Sequence, residues 1–239
     1  MDKIGRFLRR PEIRQMLKKS IPELFSKEFP RDRLRPMYYD RDAFYAPADG
    51  FVLYAKVVKP DEEILPVKGG TYSVNMLTRK EIKEECIAIG IYMTILDVHI
   101  QRMPTNGIVY YEHLPRLKVM NLSMRPIETA LLDRIGINPD DLKYEFYNER
   151  RINTIATPYD FKYHVVLTGD FEVDVICNFA PSGKPFTQCE RFSLVRMGSQ
   201  ADLIVPLVKG MPKLEILIPQ DDTYHIEGGV DRVIRIKRG

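Results

Sequence analysis

From about residue 44 onward, apolar and polar residues alternate with a period of two in the runs Phe51 to Val58, Gly107 to Tyr111, His164 to Thr168 and Glu172 to Phe179. That spacing turns one face of a strand inward and the other outward. Further runs at Arg191 to Met197, Ala201 to Val208, Leu214 to Ile218 and Arg232 to Ile236 are bounded by Gly, Pro and Asp, the residues of tight turns. The pattern predicts a mainly β (α+β) fold with a compact sheet or barrel-like core and a few helices. Helical stretches are expected over Val74 to Ile87 and over Pro126 to Ile135, where proline suits a first turn and Gly136 an end.

The first 36 residues follow a different rule. Ile4, Phe7 and Leu8, then Ile13, Met16 and Leu17, recur at helical spacing with Arg6, Arg9, Arg10, Arg14, Lys18 and Lys19 between them. Pro11 breaks a helix from within but can begin one, so a kink or two short helices are expected, the second starting near Pro11. Residues 1–36 hold eleven Lys and Arg against five Asp and Glu, whereas the whole 239-residue chain carries only +3. The basicity therefore belongs to an arm, and residues 37–239 form a separate unit of opposite net charge. Such an arm either docks on an anionic membrane surface or packs on the domain with its basic face in water.

Composition narrows the function classes. Hydrophobic residues make up 44% and charged residues 29%, so a folded globular domain rather than a disordered chain is expected. Charge interrupts every apolar run before it could cross a bilayer, and the start lacks the apolar core of a secretory signal, so a chain that does not span a membrane and an interior, cytoplasm-facing location are expected. Cys86, Cys177 and Cys189 are odd in number and show no CxxC spacing. They read as buried small apolar residues, not a disulfide framework. His99, His113, His164 and His225 show no HxxxH or HxH spacing, so no metal site is drawn, and nothing marks a nucleic-acid partner.

Chemistry enters through Gly198-Ser199, a dipeptide that means nothing alone. It lies between two apolar β runs, Phe192 to Met197 and Ala201 to Pro206, which places it in a tight turn inside the core. The stretch from Glu190-Arg191-Phe192 through Arg196-Met197-Gly198-Ser199-Gln200-Ala201-Asp202-Leu203 resembles the self-processing segment of phosphatidylserine decarboxylases. Ala46-Pro47-Ala48-Asp49-Gly50 is similar to that family's strand-entry motif, and Asp97-Val98-His99-Ile100-Gln101-Arg102-Met103-Pro104-Thr105-Asn106-Gly107 to its histidine motif. The three segments stand in the family's order. Weaker likenesses lie at Val67-Lys68-Gly69 with Tyr72-Ser73, and at Asn148-Glu149-Arg150.

The resemblance implies that the chain cuts itself between Gly198 and Ser199, giving a β chain of residues 1–198 and an α chain of residues 199–239 that begins with a pyruvoyl group made from Ser199. A serine hydroxyl is a weak nucleophile without a base. His99 is the expected base and Asp49, in preference to Asp97, its orienting carboxylate. Gly198 tolerates strained backbone angles at the cut. A pyruvoyl carbonyl takes the place of pyridoxal phosphate as an electron sink for decarboxylation, so the implied substrate is phosphatidylserine and the products phosphatidylethanolamine and carbon dioxide. Longer members of the family carry a second histidine three positions after the first. Arg102 stands there in this chain, and a role in binding the substrate carboxylate or phosphate is expected of it.

On this reading the partners are a phospholipid and an anionic membrane surface, with the two chains held together by shared strands; self-association of copies stays open. Asn121 to Asp141 is longer and more helical than the corresponding family connection, and its role is open. His113, His164 and His225 are expected to be structural or surface residues. Two other functions remain: decarboxylation of a soluble amino acid by the same cofactor, and a degenerate binding module that never cleaves.

Overall fold

The computed structural model describes residues 3–28, 31–36, 39–67, 70–171, 175–196, 199–219 and 224–237. Met197 and Gly198 of the expected cleavage segment, Lys68 and Gly69 of a weaker likeness, and the start of the expected strand at Glu172 lie outside them.

The strands in chain order are β1 (Ala43–Tyr45), β2 (Gly50–Val58), β3 (Cys86–Met93), β4 (Ile100–Arg102), β5 (Gly107–Leu114), β6 (Arg150–Ala156) and β7 (Lys162–Gly169). After them come β8 (Val175–Asn178), β9 (Lys184–Phe186), β10 (Arg191–Arg196), β11 (Ser199–Pro206), β12 (Lys213–Ile216), β13 (His225–Ile226) and β14 (Arg232–Lys237). The expectation of a mainly β fold holds. The strands form open antiparallel sheets, and no closed barrel arises from the described pairings. An eight-stranded sheet runs β13-β2-β3-β11-β7-β6-β5-β9, beside two three-stranded sheets, β1-β14-β12 and β4-β10-β8.

β3 and β11 pair along their full lengths, from Ser199 opposite Met93 to Pro206 opposite Cys86, and every residue of both is buried. β3 reads as an unbroken apolar run because both of its faces are covered. Alternation along β11 sends Ala201, Leu203 and Val205 into one apolar cluster and Ile204 into a second. Gln200 and Asp202 share the second face and are also fully buried.

Two helix expectations need correction. The helix starting at Val74 stops at Thr78, where Arg79 takes a left-handed conformation (φ 52°), and Cys86 already begins β3. The Lys- and Glu-rich stretch between them is irregular, since Glu81, Lys83, Glu84 and Glu85 lie exposed and no apolar stripe anchors a longer helix. The helix Arg125–Asp133 closes on Arg134, also left-handed, rather than on Gly136. The extra segment it belongs to is packed inward through Met124, Ile127 and Leu131.

The arm opens with two short helices, Lys3–Leu8 and Pro11–Met16, with Pro11 in the first turn as expected, and further helical turns follow over Ile21–Glu23 and Leu24–Glu28. Phe7, Ile13 and Met16 are buried in the second apolar cluster, against residues such as Phe51 and Tyr54. Arg6, Arg9, Arg14 and Lys18 stay exposed. The helices thus pack on the domain and present a basic face to water. Among the described residues, no helix is long and apolar enough to cross a membrane.

Candidate active site

The short strand β4 positions the histidine motif. β3 ends at Met93, and the chain turns through Thr94 to Val98 before entering β4. Asp97 closes this turn: its Oδ2 accepts from Thr94 N at 2.8 Å and from Thr94 Oγ1 at 2.7 Å. The extra segment supports it from outside, with Glu128 Oε1 accepting from Ile95 N at 2.8 Å.

His99 is fully buried, and its Nδ1 lies 3.1 Å from the Asp97 main-chain carbonyl. A carbonyl only accepts, so Nδ1 carries the proton and Nε2 the lone pair of the neutral ring. Burial pushes the imidazole pKa down to about 4, with the Asp97 charge working the other way. The ring is consequently a neutral base over the physiological range.

Strand pairing brings His99 to the processing segment. Val195 N donates to the His99 carbonyl at 3.2 Å, placing the histidine beside β10 four residues before Ser199. Ser199 opens β11 and is fully buried, with Oγ 3.7 Å from Met93 Sδ. Gln101 Nε2 reaches the same sulfur at 3.4 Å and donates to the His99 carbonyl at 2.9 Å. Gln101 and Met93 therefore link the His99 main chain to the Ser199 hydroxyl. A thioether is a weak acceptor, so the Ser199 hydroxyl is only lightly held.

Asp49 is placed differently from the expectation. Its carboxylate is engaged by Arg35, whose Nη1 and Nη2 reach Oδ1 and Oδ2 at 2.5 and 2.8 Å, and by Gly228 N at 2.8 Å. The histidine is oriented by Asp97, through its main chain. The Asp97 carboxylate in turn accepts from His225 Nε2 at 2.7 Å. Burial alone would raise the Asp97 pKa, but the His225 ring and the Thr94 donors outweigh it and hold the carboxylate below its ordinary value.

His225 is thus tied to the turn that holds His99, a placement that sequence reasoning missed. Its ring is buried, stacked on Phe7 of the arm at 3.9 Å between centroids and edge-on to Phe51. It lies 126 positions from His99, and only the pairing of β13 with β2 brings it in, so no local spacing could have marked it. The other two histidines fit the expectation: His164 is buried with Nδ1 3.0 Å from Thr154 Oγ1, and His113 is exposed. Cys86 and Cys189 are buried, while Cys177 is half-buried.

Arg102 is nearly buried and already paired. Its Nη2 contacts both oxygens of Asp32 at 3.0 and 2.9 Å, and Nη1 donates to the Cys189 carbonyl at 3.1 Å.

On the opposite face of β11, behind Ser199, sits a closed polar network. Asp202 Oδ1 accepts from Tyr54 at 2.5 Å and from Gln200 Nε2 at 2.7 Å, and Tyr144 donates to Gln200 Oε1 at 2.6 Å. Burial raises the Asp202 pKa to about 7 and drives that of neighbouring Glu145 well above the carboxylate range. The pair shares too little solvent for both carboxyls to ionise.

An open antiparallel scaffold thus buries Ser199 and a neutral His99 where the histidine segment meets the processing segment. The phosphatidylserine decarboxylase family profile matches residues 21–226, and the chain belongs to this family of carboxy-lyases. A putative archaetidylserine decarboxylase proenzyme of Methanocaldococcus jannaschii is 27% identical over 184 residues, 77% of this chain and 79% of that protein. Phosphatidylserine decarboxylase proenzymes of Rickettsia akari (27% identical) and Geobacter metallireducens (26%) match 74% and 77% of the chain. The matches span 62% and 67% of those two proteins.

Proposed function

We propose that this chain is a proenzyme that cuts itself between Gly198 and Ser199 and then decarboxylates a serine phospholipid, phosphatidylserine or archaetidylserine, to the corresponding ethanolamine lipid. The observation that carries the reading is the junction where Gln101 reaches both the His99 carbonyl and the Met93 sulfur beside the Ser199 hydroxyl, inside a chain that matches the family from residue 21 to residue 226.

In the processing step, His99 Nε2 takes the proton of the Ser199 hydroxyl as its oxygen attacks the Gly198 carbonyl, and the peptide becomes an ester. The same ring then removes the Cα proton of residue 199, the ester is eliminated, and hydrolysis of the resulting dehydroalanine releases ammonia and leaves the pyruvoyl group. The residues present fit such a group. β10 and β11 lie in different sheets and share no ladder, so a break between them leaves β10 on β4 and β8, and β11 on β3 and β7. The α chain supplies β11 to the middle of the eight-stranded sheet, which keeps the two fragments together.

When formed, the pyruvoyl carbonyl supplies an electron sink for the pair left by departing carbon dioxide. The chain's own residues do the rest. His99 can take a proton from the substrate's ammonium group and return it to the substrate carbon, Met93 and Gln101 keep water from the site, and Arg102 binds an acidic group of the headgroup. Asp49 orders the Arg35 and Gly228 contacts beside this site. The exposed Arg6, Arg9, Arg14 and Lys18 place the entrance against an anionic bilayer on the cytoplasmic side.

Release of carbon dioxide from vesicles containing phosphatidylserine, from vesicles containing archaetidylserine and from free serine tests this reading. Turnover of a lipid by the native chain, absent in Ser199→Ala, is expected. Turnover of free serine alone would replace the lipid by a soluble amino acid.

A further inference from the structure

The irregular segment 31–36 lies across the site and is fastened to it by side chains. Arg31 donates to the Leu96 carbonyl, Asp32 meets Arg102 and Arg191, and Arg35 meets Asp49 and the Gly228 carbonyl. The described main-chain hydrogen bonds of the segment come down to one, Arg31 N to Glu28 O, and that is local. Leu34 is fully exposed. A segment held this way can leave without breaking a sheet ladder.

Asp32 sits between two arginines that are direct neighbours in the β4–β10 register, Arg102 opposite Arg191. One carboxylate answers two guanidinium groups, so the pocket keeps a net positive charge. Arg102 Nε is buried without a hydrogen-bond partner among the described residues. The pocket is also shaped for this side chain: a Cβ on Gly229, which has φ +70°, would come within 2.7 Å of Arg102 Cδ. Arg31, one residue from Asp32, is close enough for its charge to act on His99 and on Asp97. Arg102 closes the short strand that follows His99, three residues on, so the anion pocket lies about 10 Å along the chain from the histidine.

We propose that Arg102 and Arg191 form a binding site for the phosphodiester of the lipid headgroup, and that the Asp32 carboxylate fills this site until the headgroup displaces it. This deepens the reading of Arg102 given above and rests on it. Both anions carry one charge and present two oxygens to a guanidinium fork, so the exchange leaves the buried charge balanced. Arg191, half-exposed at the rim, meets the incoming lipid first, and the inner Arg102 receives it as segment 31–36 lifts.

Calorimetric binding of glycerophosphoglycerol to the full chain tests the assignment. This probe is a phosphodiester with no amine or carboxylate, so its binding does not depend on the cofactor or on turnover. Asp32→Asn removes the internal competitor and should tighten binding by about tenfold, the penalty that a largely occupied site imposes on its ligand. Arg191→Gln should weaken binding several-fold and cancel the gain in the double variant. Unchanged or weaker binding in Asp32→Asn, with melting temperature near that of the native chain, overturns the proposal. Should Asp32→Asn fail to fold, unchanged affinity in Arg191→Gln overturns it equally. Inorganic phosphate binding as tightly as the phosphodiester would overturn the headgroup assignment. If binding behaves as expected while no lipid is turned over, the site stands and the decarboxylase reading falls.

Discussion

The carboxylate of Asp97 accepts a hydrogen bond from His225 Nε2 at 2.7 Å, and the carbonyl of the same Asp97 holds the His99 ring at 3.1 Å. One residue thus links two buried histidines, and its backbone direction fixes which nitrogen of His99 bears the proton. In the proposed two-chain product this link joins the fragments, since Asp97 and His225 fall on opposite sides of the cut.

His225→Phe keeps the ring that stacks on Phe7 but removes the donor to Asp97, whereas His225→Gln keeps a donor and loses the ring. If His225 acts through Asp97 on His99, the Phe variant slows self-processing by about tenfold, roughly 1.4 kcal/mol of barrier, and the Gln variant restores much of the rate. A pure packing role predicts the reverse order. Time courses of fragment formation after dilution from denaturant measure it.

The depressed pKa of His99, about 4 against an ordinary 6.5, sets the pH profile. A base that stays neutral down to that value supports processing at a rate that is flat from pH 8 to about 5 and falls only near pH 4. A midpoint near 6.5 in the rate of the native chain would contradict the enclosure of this ring. The same shift affects stability: the folded state resists protonation, so His99 contributes stability above pH 6.5 that is lost as the pH falls toward 4.

Asp202 has the opposite sign. Its folded pKa is raised to about 7, so the folded state binds its proton more tightly than the unfolded chain does. The contribution is complete below about pH 4 and is lost as the pH rises through 7. Asp202→Asn should therefore flatten the decline in melting temperature between pH 5 and pH 8. Calorimetric scans at the two pH values read the difference directly.

The arm's apolar residues belong to the core, so deleting residues 2–20 would strip Phe7, Ile13 and Met16 from the second cluster and confuse membrane binding with unfolding. Charge reversal of the exposed Arg6, Arg9, Arg14 and Lys18 leaves that packing alone. Each basic residue near an anionic surface is worth about 1 kcal/mol, so the fourfold variant should lose at least a hundredfold in affinity for phosphatidylserine vesicles. Equal binding by sedimentation would remove the arm from membrane attachment.

Much of this architecture was legible in the chain. The period-two runs located most of the strands, Pro11 marked the break between the arm helices, and the processing and histidine motifs meet through β4 and β10. What escaped were relations that sequence distance hides. β3 is apolar on both faces and offers no alternation to find. Val74 to Ile87 carried helical spacing for one turn only, after which Cys86 was recruited as the start of the buried sheet. Asp49 was expected beside His99 but is held by an arginine from the arm, and His225 arrives through a two-residue strand. Long-range pairing decides these placements, and no local pattern encodes it.

The most direct measurement is the intact mass of the purified native chain under denaturing conditions, beside Ser199→Ala. The account predicts two fragments for the native protein, residues 1–198 and a 199–239 piece whose mass corresponds to a pyruvoyl group in place of the amino-terminal serine, and one uncut chain for the variant. A single uncut native chain with an unmodified Ser199 would contradict it.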